Sequence, residues 1–147
     1  MTMELDETAM ADTGARIAAS LRPGDVIGLS GELGAGKTTL ARAILAALGL
    51  SGEAPSPTFA IIQPYDVPDV RLPVAHVDLY RLDDPRDCRE LGLEDYADAG
   101  ALLIEWPERL PAGSWPEMLL LRLDGNGTTR CLTARVPAAW EGRWPPR

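Results

Sequence analysis

Asp25-Val26-Ile27-Gly28-Leu29-Ser30-Gly31-Glu32-Leu33-Gly34-Ala35-Gly36-Lys37-Thr38-Thr39 is the stretch that decides the fold. Its first six residues form a short apolar run of strand type. Glycines then recur at 31, 34 and 36. From Thr38 to Leu48 the apolar residues Leu40, Ala43, Ile44, Ala47 and Leu48 gather on one side of a helix, and Gly49 stands just past its end. Residues 31–38 fit G-x-x-x-x-G-K-[ST] at every fixed position. Each part has a physical reason. Glycines let the backbone turn tightly and aim successive N–H groups at one anion. The helix that follows adds its positive N-terminal end. Lys37 supplies a point charge for β- and γ-phosphates, and the Thr38 hydroxyl is a hard oxygen ligand for Mg²⁺. Gly31, Glu32, Leu33, Gly34, Ala35, Gly36, Lys37, Thr38 and Thr39 are therefore the candidate nucleotide-binding residues.

Composition singles out the same place. The chain has 14 basic residues, of which Lys37 is the sole lysine. A general preference for arginine accounts for the other thirteen but not for this exception. Position 37 calls for a compact ammonium rather than a planar fork.

Working outward, Asp6 to Leu21 reads as an amphipathic helix closed by Pro23-Gly24. A proline-rich stretch from Ala54 to Pro73 holds Ser56-Pro57-Thr58-Phe59 and a strand at Ala60 to Gln63. Val74 to Asp78 is the next strand. Asp83 to Gly100 is polar and mostly helical, with a break near Gly92. Ala101 to Trp106 is a buried-type strand that runs into an acid. Met118 to Leu123 and Thr129 to Val136 flank Gly125-Asn126-Gly127, a hairpin signal. This order implies an α/β fold: a P-loop NTPase-like sheet flanked by helices and mixed with an antiparallel C-terminal hairpin. Residues 1–136 read as a single domain and 137–147 as a tail.

The 147 residues suit one domain and leave no room for a separate substrate domain. At a formal charge of −8 the surface repels phosphate backbones, so direct binding to nucleic acid is not expected and protein partners are. No apolar run is long enough to span a bilayer, and the acidic N-terminal residues do not read as a signal peptide. A cytoplasmic location is the expectation. Cys88 and Cys131 lie far apart without metal-ligand spacing and read as free thiols.

Two acids end apolar strands where they could meet a metal: Asp78 after Val74-Ala75-His76-Val77, and Glu105 after Leu102-Leu103-Ile104. Pattern does not separate them, and they could share the work. The only histidine, His76, reads as a packed or surface imidazole. Ser56-Pro57-Thr58-Phe59 reads either as a plain turn or as a switch segment in which Thr58 meets the γ-phosphate.

Taken together, residues 31–39, Ser56-Pro57-Thr58-Phe59, His76-Val77-Asp78-Leu79-Tyr80-Arg81 and Glu105-Trp106-Pro107-Glu108 resemble the signatures of the TsaE family in order and spacing. The resemblance implies a weakly active ATPase that uses ATP and Mg²⁺. It would serve threonylcarbamoyladenosine modification of tRNA together with TsaD and TsaB. By position it implies that Lys37 and Thr38 hold phosphate and metal, that Glu105 is the second metal ligand, and that Thr58 and Asp78 belong to switch-like catalytic motifs. Trp106 matches a functional tryptophan, and Arg130 an arginine near the nucleotide, although Thr129 stands where the family has glycine.

Three rivals were weighed. A small-molecule kinase needs an acceptor site and a lid, for which the chain has little room. A GTPase of the small signalling type needs an [NT]-K-x-D segment, which a chain whose one lysine is Lys37 cannot contain. The third is a non-catalytic docking module that binds nucleotide.

Overall fold

The computed structural model describes residues 2–52, 61–125 and 129–144. Seven strands form one mixed sheet: β1 (Thr2–Leu5), β2 (Val26–Ser30), β3 (Ile62–Tyr65), β4 (Val74–Asp78), β5 (Ala101–Glu105), β6 (Leu119–Asp124) and β7 (Arg130–Arg135). Three α-helices accompany them: α1 (Glu7–Ser20), α2 (Lys37–Ala47) and α3 (Leu93–Ala99). The spatial order is β1-β7-β6-β2-β5-β4-β3. The four inner strands β6, β2, β5 and β4 are mutually parallel. The β6–β7, β1–β7 and β3–β4 pairs are antiparallel. This is the mixed α/β sheet expected from the order of elements.

The inner strands are mainly apolar: β2, β4 and β5 are buried along nearly their whole length, while β6 alternates and exposes Arg122. Along β5, Ala101 and Leu103 enter one core while Leu102 and Ile104 enter the other. Ile27 and Leu29 of β2 face the first core, where Ile17 of α1 and Leu40, Ile44 and Leu45 of α2 pack. Leu93 and Ala97 of α3 pack on the opposite face with Leu102 and Ile104. The period-2 alternation of strand side chains divides the two layers. Helix α1 starts where the Asp6 carboxylate accepts the Ala9 N–H at 2.7 Å, a side-chain cap.

Three details depart from the pattern reading. Strand β1 was not foreseen; it pairs only with β7, with Met3 opposite Leu132 and Leu5 opposite Arg130. Strand β3 runs from Ile62 to Tyr65 rather than ending at Gln63, and it includes Pro64. Proline is tolerated there because β3 is an edge strand, so the missing N–H removes no ladder bond on the open side. The 83–100 segment is helical with its break at Gly92, as expected: a 3₁₀ helix, Pro85–Leu91, is separated from α3 by Gly92 at φ 65°. The third departure lies beyond Val136. Ala138–Trp140 makes a short 3₁₀ turn, and Trp140 is 0% exposed in the α1/α2 core. Arg143 lies 3.9 Å above its ring and forks onto Asp25 at 2.8 and 2.9 Å.

The hairpin β6–β7 forms in register, Asp124 opposite Cys131, while Asn126 and Gly127 of its turn lie outside the described residues. Among the described residues, no helix is long and apolar enough to cross a membrane.

Candidate functional site

The inner strands β2, β5 and β4 are parallel, so their C-terminal ends open on one edge of the sheet. In open α/β sheets, ligands bind at that edge. Residues 31–36 leave β2 there. The register sets Leu29 opposite Glu105, and Asp78 opposite Glu105. The loop and both candidate acids are therefore side by side, although they come from three separate segments of the chain.

The loop needs glycine at specific points. Gly31 has φ 138°, and a Cβ there would run into the Leu123 carbonyl oxygen. Gly36 has φ 106° and stands at the N-terminus of α2, which carries no side-chain cap and no acid in its first turn. The first amides of α2 are thus left to an external acceptor.

Lys37 is the first residue of α2 and only 5% exposed. Its Nζ donates to the Gly31 and Glu32 carbonyls at 2.6 and 2.7 Å and lies 4.5 Å from the Trp106 ring centroid. Burial pushes its pKa below the ordinary lysine value; the charges of Glu105, Glu108, Asp78 and Glu32 oppose that shift. Trp106 holds φ 62°, uncommon for a residue with a side chain. It stacks obliquely on Tyr80, with centroids 5.0 Å apart.

Next to the lysine, the Thr38 hydroxyl donates to Glu105 Oε1 at 2.8 Å. Glu105 is 3% exposed. Its other oxygen, Oε2, is 2.6 Å from His76 Nε2. Asp78 accepts the Tyr80 N–H at 2.9 Å. Burial raises its pKa above the usual carboxylate value, and the Glu105 charge adds to the rise, while the Tyr80 N–H, His76 and Lys37 oppose it. Ser30 Oγ donates to Glu108 Oε2 at 3.1 Å, which brings a third acid to the strand ends.

These groups border a cavity of about 520 Å³ whose wall includes Gly34, Lys37, Thr38, Asp78, Glu105 and Arg130. Thr39 and Leu33 also line it, and Leu33 is 69% exposed. A second hollow of about 380 Å³ adjoins it, sharing Gly36, Thr39 and Arg130 and floored by Leu5 and Met10. Arg130 stands between the two and donates to the Gly34 carbonyl at 3.2 Å. Ala35 is buried and its N–H donates to the Glu32 carbonyl at 3.1 Å.

The structure thus gathers Gly31 to Thr39, Asp78, Glu105 and Arg130 in one place. Thr58 lies outside the described residues. The sequence reading missed the His76–Glu105 and Ser30–Glu108 bonds and the hollow at Leu5 and Met10. Each depends on strand register or on β1, neither of which leaves a local signal.

The donor set beside the loop bears on the metal ion that the sequence resemblance implies. Among the described residues no group of three or more His, Cys, Asp or Glu side chains could hold a metal ion. Thr38 and Glu105 nevertheless offer two hard oxygens beside the loop. That suits Mg²⁺, which is bound by one or two protein oxygens plus phosphate oxygens and water rather than by a closed protein cage.

Comparison with known proteins agrees with this arrangement. A family model described as "Threonylcarbamoyl adenosine biosynthesis protein TsaE" matches residues 5–132. The "tRNA threonylcarbamoyladenosine biosynthesis protein TsaE" of Streptomyces coelicolor is 40% identical over 116 residues, 78% of each chain. The protein of the same name from Bacillus subtilis is 43% identical over 99 residues, 64% of this chain and 60% of its own. A crystal structure of Bacillus subtilis YdiB superposes with a TM-score of 0.75 at 30% identity, covering 97% of this chain and 89% of that one. The glycine loop, the paired acids and the strand order therefore sit in a chain that belongs to the TsaE family of threonylcarbamoyl adenosine biosynthesis proteins.

Proposed function

We propose that this chain binds and slowly hydrolyses MgATP in the cytoplasm and thereby serves threonylcarbamoyladenosine modification of tRNA, working through TsaB and TsaD. The observation that carries the nucleotide reading is the pairing at the head of α2. A lone lysine is held by its own loop's carbonyls, and its neighbour Thr38 is bonded to a buried carboxylate.

The residues divide the work as follows. Lys37 exchanges its two carbonyl partners for β- and γ-phosphate oxygens. The uncapped amides of α2 and the glycine loop accept the remaining phosphate charge. Thr38 and Glu105 would hold Mg²⁺, which would neutralise negative charge developing on the phosphate oxygens. The adjoining hollow over Leu5 and Met10 has an apolar floor for base and ribose. Arg130 lies between base and phosphates. Asp78, whose burial makes it a better proton acceptor than an ordinary aspartate, faces the cavity and orients the attacking water. The exposed Leu33 and the partly exposed Tyr80 line the same cavity, where a protein partner can sense its occupancy.

The test compares ATP hydrolysis by the chain alone with hydrolysis in the presence of TsaB and TsaD. Slow turnover that rises with the partners is expected. Phosphoryl transfer to a metabolite, or no nucleotide binding, would overturn the reading. With a net charge of −8, the chain alone is expected to leave labelled tRNA unshifted in a gel at physiological salt. Tight, salt-sensitive binding by the lone chain would overturn the indirect route.

A further inference from the structure

His76 sits in the middle of β4 and is 0% exposed, among strand residues that are otherwise apolar or at the sheet's open end. It is opposite Leu103 of β5, so it shares a sheet face with Glu105 two residues further on, the face on which α2 lies. Its Nε2 lies 2.6 Å from Glu105 Oε2, and its Nδ1 has no hydrogen-bond partner among the described residues. An apolar side chain at this position would spare the protein a buried, half-satisfied imidazole, whose unpaired nitrogen has lost its water without gaining a partner. What the imidazole contributes in return is one short bond to the acid that meets Thr38.

We propose that His76 is a positioning residue for the metal site: it donates from Nε2 to Glu105 and thereby fixes how Glu105 and Thr38 present their oxygens. This rests on the MgATP reading above. The geometry runs in one direction. A carboxylate only accepts, so the hydrogen between the two residues belongs to Nε2, and a neutral ring then carries its lone pair on Nδ1. That assignment also leaves the unpaired Nδ1 as an acceptor rather than an orphaned donor. With Oε2 held by His76 and Oε1 held by the Thr38 hydroxyl, the Glu105 carboxylate cannot rotate freely. The Thr38 hydrogen is directed at Glu105, which leaves the hydroxyl lone pairs for a cation. Without His76 the carboxylate can swing, and the Thr38 hydrogen can turn toward the place where a cation must bind. Outer partners of this kind typically change metal affinity 10- to 100-fold.

The experiment uses the full chain without a histidine tag. Mg²⁺ is titrated against binding of a non-hydrolysable ATP analogue, for the native chain, His76→Leu and His76→Gln. Leucine removes the donor and keeps the apolar volume; glutamine carries an N–H donor about where Nε2 stood. His76→Leu is expected to need about 10- to 100-fold more Mg²⁺ for half-maximal effect. Its metal-free affinity should be unchanged, and His76→Gln should restore most of the loss. Because His76 is the only histidine, nitrogen-resolved NMR of the native chain at neutral pH reads its tautomer from a single ring. The hydrogen is expected on Nε2.

An unaltered Mg²⁺ requirement in His76→Leu overturns the proposal. So does an equal loss with and without metal, failure of His76→Gln to restore, or a hydrogen found on Nδ1. If His76→Leu does not fold, a folded His76→Gln with a near-native Mg²⁺ requirement and the Nε2–H tautomer supports it. Failure of the native chain to bind the analogue at all would overturn the MgATP reading and this one together. Mg²⁺-dependent native binding with an unaltered leucine variant overturns only this one.

Discussion

Replacing Trp140 with alanine should remove about 4 kcal/mol of stability. The indole is fully buried against α1 and α2, and its outer face is covered by the Arg143 guanidinium at 3.9 Å. A tryptophan buries ~150–250 Å², which at about 25 cal/mol per Å² amounts to roughly 4–6 kcal/mol. That is an upper bound, because the unfolded chain already hides part of this surface. Measured truncations of large aromatics fall at about 3–5 kcal/mol. Urea unfolding followed by circular dichroism reads the difference. With a slope of about 2 kcal/mol per molar, the midpoint should fall by ~2 M. Trp140→Phe separates packing from polarity. The indole Nε1 has no hydrogen-bond partner among the described residues, so phenylalanine gives up volume but no bond and should cost about 1 kcal/mol. An alanine variant within about 1 kcal/mol of native would refute the placement of residues after Val136 on the core. A phenylalanine variant as damaged as the alanine one would show that the indole N–H has an acceptor after all.

Three further outcomes follow from the site and its surroundings. Lys37→Ala should stay folded and lose about 10- to 100-fold or more in MgATP affinity by calorimetry, the range for one charge-assisted bond; Lys37→Arg should fail as well, since the space between the Gly31 and Glu32 carbonyls and the Trp106 ring fits an ammonium. Glu105→Gln should reduce Mg²⁺-dependent hydrolysis, measured with TsaB and TsaD, about tenfold or more while analogue binding changes less. The amide offers one acceptor where Thr38 and His76 both donate, so a donor must face a donor or the Thr38 hydroxyl must turn. Cys131 is exposed and should be alkylated at once at pH 8, whereas Cys88, buried with its thiol pKa raised by desolvation, should react only on unfolding. The raised thiol pKa also means that Cys88's contribution to stability is intact below the ordinary thiol value and is lost as pH climbs past it, a dependence that Cys88→Ala should remove.

The head of α2 was legible because a phosphate cradle constrains residue type at nearly every position from Gly31 to Thr38. The β6–β7 hairpin was legible because a glycine-rich turn sat between two apolar runs. Strand β1 was not: four residues are too few for a period to register, and only pairing with β7 makes them a strand. Strand β3 was misplaced because Pro64 argues against a strand unless the edge is known. Pattern left Asp78 and Glu105 equivalent, since both end apolar strands. The register sets them side by side, and the position of α2 separates them, because Thr38 reaches Glu105 and not Asp78. His76 read as packing for the same reason: its partner is 29 residues away, across a strand pair.

Strand β1 pairs with β7, which joins nearly the first described residues to nearly the last. A ribosome makes β1 well before β7. While the chain is still emerging, the glycine loop can form between β2 and α2, but Arg130 has not yet reached Gly34 and Trp140 has not yet covered α1. The two hollows that meet at Arg130 are therefore completed only after β7 has been made. A product that stops short of β7 would carry the whole phosphate signature without the wall behind it. If the proposed MgATP binding needs that wall, fragments that stop before β7 are expected to bind nucleotide more weakly than chains that include it.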